Sequence, residues 1–87
     1  MPEIWIPSLL RKYADGATSV PVCGQTVAEC LDDLDKQFPG IRERLCPDDD
    51  LLPSLSLAVD GRITRRGLKA RVGENSEIHF LPAIAGG

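Results

Sequence analysis

A chain of 87 residues with 13 acidic and 10 basic side chains, a formal charge of −3 and a pI near 5.0 describes one small acidic domain. A chain this short buries roughly 60–65% of the surface its unfolded form exposes, which leaves little room for a deep catalytic cleft. Its charge balance argues against nucleic acid, whose partners carry clustered positive surface, and no apolar run approaches the ~20 residues that span a bilayer.

Glu3 to Pro7 alternates polar and apolar residues with Ile4 and Ile6 on one face, a strand pattern. Ser8 to Tyr13 is expected to form a short turn, and Asp15-Gly16 a reversal. Ser19 to Cys23 places Val20 and Val22 on one face with Pro21 between them. A proline there fits an edge strand, because it cannot donate to a neighbour. These two runs read as an amino-terminal hairpin.

Thr26-Val27-Ala28-Glu29 fits a capping box, and Val27, Cys30, Leu31, Leu34 and Phe38 recur as one helical stripe until Pro39-Gly40. Ile41 to Leu45 can add a further helical turn. Cys46 to Pro53, with two prolines and three aspartates, is expected to be a surface loop. Leu55, Leu57 and Val59 then alternate as a strand. Asp60-Gly61 marks a type I′ hairpin, whose two central positions need φ > 0. Arg62 to Thr64 begins the return strand, and Gly67 and Gly73-Glu74-Asn75 mark further turns. Glu77 to Leu81 is the last strand, with Ile78 and Phe80 facing inward, and Pro82 ends it. Strand, strand, helix, strand, short strand, strand is the order of an α+β, β-grasp (ubiquitin-like) fold. It predicts a mixed sheet of four to five strands under one main helix, with the first and last strands central. The boundaries are a β-grasp domain over 1–82 and a flexible diglycine tail over 83–87.

Charge is unevenly placed. Acids dominate from Glu29 to Asp50, including the run Asp48-Asp49-Asp50, whereas Arg62 to Arg71 holds only bases. Solvated faces explain most such residues. Steering onto a protein partner is the functional alternative, with Phe80 on the last strand and Arg62, Arg65 and Arg66 as docking candidates. His79 is the only histidine and reads as a surface residue. The three cysteines Cys23, Cys30 and Cys46 form no C-x-x-C pair, so neither a disulfide framework nor a zinc or four-thiolate cluster site is indicated. They read as reduced thiols in a cytoplasmic protein, and the start shows no secretory leader. No nucleophile elbow and no glycine-rich phosphate loop is present. No catalytic residue and no metal ligand is assigned.

The remaining chemical group is the carboxylate after Ala83-Ile84-Ala85-Gly86-Gly87. Two terminal residues without side chains give a thin end that fits a narrow channel. With Ile6-Pro7-Ser8-Leu9-Leu10-Arg11, with Phe38-Pro39-Gly40-Ile41-Arg42-Glu43-Arg44-Leu45 and with Val59-Asp60-Gly61, this ending resembles the ThiS/MoaD-type ubiquitin-like sulfur carriers. The likeness is closest to the branch that serves cysteine biosynthesis. The resemblance implies a carrier rather than an enzyme. An ATP-using, E1-like adenylating sulfurtransferase would activate the Gly87 carboxylate, and a sulfur donor would convert it to a thiocarboxylate (1-thioglycine). A sulfur-accepting synthase would then receive it. Gly86, Ala85, Ile84 and Ala83 would lie in the partners' grooves. The family's partners also include desulfurases and metalloproteases. No bound cofactor, nucleic acid or membrane is implied. The alternatives left open are a thiamine carrier, a molybdopterin synthase small subunit and a modifier conjugated to lysines.

Overall fold

The computed structural model describes residues 1–47, 51 and 55–82. Strands β1 (Glu3–Trp5) and β2 (Ser19–Pro21) pair antiparallel, with Ile4 opposite Val20. Ile4, Ile6, Val20 and Val22 are all buried, so the alternation sets which face packs inward. Pro21 lies exposed on the sheet's outer strand, where no donor is needed. The connection is longer-wound than a turn. Ser8–Ala14 forms a 3-10 helix that buries Ala14, and it closes with Asp15 at φ 53° and Gly16 at φ 81°.

Helix α1 (Val27–Gln37) starts as its capping box requires, with the Glu29 N–H donating to Thr26 Oγ1 at 3.2 Å. The Glu29 carboxylate reaches one residue further back and accepts from the Gln25 N–H at 2.9 Å. Val27, Cys30, Leu31 and Leu34 are fully buried, and Phe38 packs at the edge of the core. Helix α2 (Ile41–Leu45) follows Gly40, whose φ of 99° turns the chain. Asp35, on α1, caps α2: its Oδ1 accepts from the N–H groups of Gly40 and Arg42 at 3.0 and 3.1 Å. Past α2 the expected surface loop begins inside the protein. Cys46 is buried and Leu51 packs against the core, since both side chains are apolar. Positions 48–50 and 52–53 of that expected loop lie outside the described residues.

Strand β3 (Leu55–Val59) turns through Asp60 at φ 52° and Gly61 at φ 83° into β4 (Arg62–Ile63), the type I′ geometry that the sequence specifies. Strand β5 (Glu77–Pro82) pairs parallel with β1 and antiparallel with β3. The sheet order is β2-β1-β5-β3-β4, five strands with β5 in the middle. The described core lies between this sheet and α1, with Ile4, Leu31, Leu34, Ile41, Leu45, Leu57 and Ile78 among its fully buried large side chains.

Candidate functional site: the carboxyl-terminal strand and its borders

The site expected at Gly87, with Gly86, Ala85, Ile84 and Ala83 leading to it, lies outside the described residues. The structure does define the strand from which that segment continues. β5 is held on both sides: Ile78 sits opposite Ile4 of β1, and Leu57 of β3 sits opposite Phe80. The ladder with β3 runs to Leu55 opposite Pro82. A central strand cannot shift without breaking two ladders, so the strand that leads into that segment is fixed in place.

Of the docking candidates, Phe80 is misplaced as a surface contact. It is only 6% exposed and belongs to the core, because even-numbered positions of β5 point toward α1. The odd-numbered neighbours take the outer face. Cross-strand partners share a face, which aligns Trp5, His79, Ala58 and Ile63 across the sheet and sets Ser56 beside Leu81. Trp5 stacks on His79 at 5.3 Å between centroids and 9° between planes. His79 Nε2 also lies 3.3 Å from the Glu77 carboxylate, so the lone histidine sits in a surface stack. Leu81 and Ile63 are 41% and 61% exposed, large values for such apolar side chains. Sequence reasoning missed Trp5, Ile63 and Leu81 as a group. Only the strand order makes them neighbours.

Arg62, Arg65 and Arg66 are exposed, as expected. They line a shallow groove of about 500 Å³ at the β4 edge together with Ile63, Thr64 and Arg71. Among the described residues none of these arginine side chains forms an ion pair. The acids of α1 behave differently. Asp33 accepts from the Cys23 N–H at 3.0 Å, Asp32 pairs with Arg42 at 2.9 Å, and Asp35 and Glu29 cap backbone N–H groups. Much of the acidic face is therefore spent on holding the fold.

Among the described residues no three His, Cys, Asp or Glu side chains converge as metal ligands. No described helix is long and apolar enough to cross a membrane. Burial, aided by Glu29, Asp33 and Cys23, pushes the Cys30 thiol up to about 11, so at neutral pH it is a protonated packing group rather than a nucleophile.

The comparisons with known proteins agree with this geometry. The profile of the ThiS family matches residues 4–87. The sulfur carrier protein CysO of Mycobacterium tuberculosis is 31% identical, over 94% of this chain and 94% of its own length. A chain of the Amycolatopsis orientalis BexX/CysO complex superimposes with a TM-score of 0.89 at 34% identity, covering 100% of both chains. The crystal structure of Mycobacterium tuberculosis CysO gives a TM-score of 0.86 at 28% identity, over 97% of this chain and 100% of that one. With the profile spanning nearly every residue and the β-grasp order realised strand for strand, the chain belongs to the ThiS family.

Proposed function

We propose that the chain is a sulfur carrier whose working group is the α-carboxylate of Gly87. The observation that carries this reading is a family match that runs through the terminal glycines, on a body that roots those residues in its central strand. A carboxylate resists nucleophiles because its charge is delocalised and oxide is a poor leaving group. In the proposed cycle a partner enzyme lets the Gly87 carboxylate oxygen attack the α-phosphorus of ATP, and pyrophosphate departs. Hydrosulfide then attacks the acyl carbon and gives up its proton. The C–O bond to AMP breaks, AMP takes the electron pair, and a thiocarboxylate remains. Its sulfur is a soft nucleophile for the accepting synthase.

In this division of labour the partners hold ATP, the sulfur donor and the acid–base groups. The carrier supplies a narrow terminus that continues from an anchored strand, which replaces a random encounter with a positioned one. Gly86 and Gly87 admit the closest approach of enzyme groups to the reacting carbon, since neither has a Cβ. Cysteine is the product we favour, from the resemblance to the cysteine-biosynthesis branch of the family and the likeness to the sulfur carrier protein CysO of Mycobacterium tuberculosis.

The test is intact-mass measurement of the chain after incubation with an adenylating enzyme of this family, ATP and sulfide. The wild type gains the mass difference of sulfur replacing oxygen, and only with ATP. Deletion of Gly87, or Gly86→Trp, abolishes the gain while the far-UV circular dichroism stays unchanged. A truncated chain that still acquires sulfur would place the reacting group elsewhere. Lysine-linked conjugates in place of thiocarboxylate would make the chain a modifier.

A further inference from the structure

We propose that the β4 edge is a second docking site, separate from the tail, for an acidic segment of the adenylating enzyme that activates the tail; the identity of that enzyme rests on the carrier reading above. The groove of about 500 Å³ beside β4 is lined by Arg62, Arg65, Arg66 and Arg71, together with Ile63 and Thr64. All four arginines are exposed, and none forms an ion pair among the described residues. Four guanidinium groups within ten residues repel one another and remain hydrated unless carboxylates meet them. Guanidinium forks match carboxylates in bidentate geometry, so a run of Asp or Glu is the complementary chemistry. Ile63 adds an apolar contact at 61% exposure, which a simple solubilising face would not need.

The position also fits. β4 is an outer strand of the sheet, and Ile63 is level with Ala58 while the Thr64 N–H bonds the Leu57 carbonyl. In an antiparallel ladder this pattern turns the N–H and C=O of Ile63 away from β3, toward the groove. An extended segment can therefore gain main-chain bonds as well as ion pairs. Leu55, opposite Pro82 where β5 ends, lies four positions from Val59, opposite Arg62. At ~3.4 Å per residue along the strands and ~4.8 Å per strand across the sheet, the groove and the end of β5 are separated by roughly 17 Å. An interface of about 800 Å² per partner covers both.

A second copy of this chain is the weaker occupant. The formal charge of −3 makes copies repel, and Glu29, Asp32, Asp33 and Asp35 are already engaged within the chain. Nucleic acid is disfavoured by the same net charge.

The test titrates the ¹⁵N-labelled full chain with a synthetic peptide of alternating Glu and Val, and with its Glu→Gln counterpart. The Glu peptide is expected to shift amides within 62–71. Binding weakens about tenfold in the R62Q/R65Q/R66Q variant, the size expected for losing three exposed ion pairs. It also weakens as salt rises from about 50 to about 300 mM. No shift in this segment, equal binding of the Gln peptide, tighter binding of a single-stranded RNA, or the same shifts appearing with protein concentration alone would each overturn the proposal. In the sulfur-loading assay the triple variant raises KM and leaves kcat unchanged, whereas deletion of Gly87 removes turnover. If the wild type fails to load, the carrier reading fails while the peptide titration still reports on the groove.

Discussion

Single residues show how much of this chain's chemistry is arrested by packing. Cys30 is fully buried and its thiol is raised from 9.0 to about 11. The sign follows from proton counts. Between pH 9 and 11 the unfolded thiol loses its proton and the folded one keeps it, so the unfolded state binds fewer protons and stability falls. A two-unit difference corresponds to roughly 2–3 kcal/mol, present below pH 9 and lost as pH rises toward 11. Urea titrations at several pH values should show that decline in the wild type and a flatter profile in Cys30→Ala. Exposed Cys23 should react with iodoacetamide at pH 8 while Cys30 reacts only on unfolding. Gly24 is a second such residue: a Cβ there would lie 2.7 Å from the Cys30 amide nitrogen and 2.9 Å from the Glu29 Cβ. Backbone cannot yield as a flexible side chain can, so Gly24→Ala should cost about 1–3 kcal/mol in a urea titration. Neither constraint is legible in the sequence. Cys30 was readable as a member of the helical stripe, but the approach of Gly24 to it depends on how a loop folds over the helix. Asp33 and Asp35 were likewise readable only as solvated acids, and their partners are backbone groups in other elements.

At the scale of elements the reading from sequence was most secure where a local rule is strict. Thr26 and Asp60-Gly61 each specify their structure within four residues, and both hold. What the hairpin signal concealed is a second task. The Asp60 carboxylate accepts from the Ser76 hydroxyl at 2.8 Å and from the Glu77 N–H at 2.9 Å, which clasps the β3–β4 turn to the start of β5. Asp60→Ala therefore loses two bonds of about 0.5–1.5 kcal/mol each and places a Cβ residue without local compensation at φ 52°, near 1 kcal/mol more. Asp60→Gly loses the bonds alone. The expected order of urea midpoints is wild type, then Asp60→Gly, then Asp60→Ala; equal midpoints for the two variants would show that backbone strain contributes nothing. The docking candidates illustrate the opposite case. Alternation assigned Phe80 inward, and burial agrees, so its candidacy as a contact conflicted with its own periodicity. Arg62, Arg65 and Arg66 could be read as exposed from charge alone, but the groove they share needs the turn after β4 to be folded.

For the molecule as a whole, the decisive contact joins the two ends of the chain. Glu3, Ile4 and Trp5 pair in parallel with Glu77, Ile78 and His79, and the radius of gyration of 11.7 Å matches the about 12 Å expected of a compact body of this length. No local signal announces such pairing; it follows from the order of elements, because a hairpin followed by a helix leaves the last strand only the centre of the sheet. The consequence is an unequal dependence on the two termini. Deleting residues 1–6 removes β1, strips β5 of its parallel neighbour and strands β2 without a partner. Burying Ile4 and Ile6 contributes about 1.5–3 kcal/mol each before cavities are counted. The lost ladder adds to that, against a total stability on the order of 5–10 kcal/mol. The truncated chain is expected to show no cooperative thermal transition by circular dichroism and a collapsed ¹H–¹⁵N spectrum, even though it keeps every residue of α1. Ile4→Ala, which leaves the ladder in place, should lower stability by about 2–5 kcal/mol and remain cooperative. Deletion of Gly87 should leave the transition within about 0.5 kcal/mol of the wild type. A cooperative melt from the chain lacking 1–6 would mean that β3 alone suffices to hold β5, and the fixed origin proposed for the tail would then depend on one ladder instead of two.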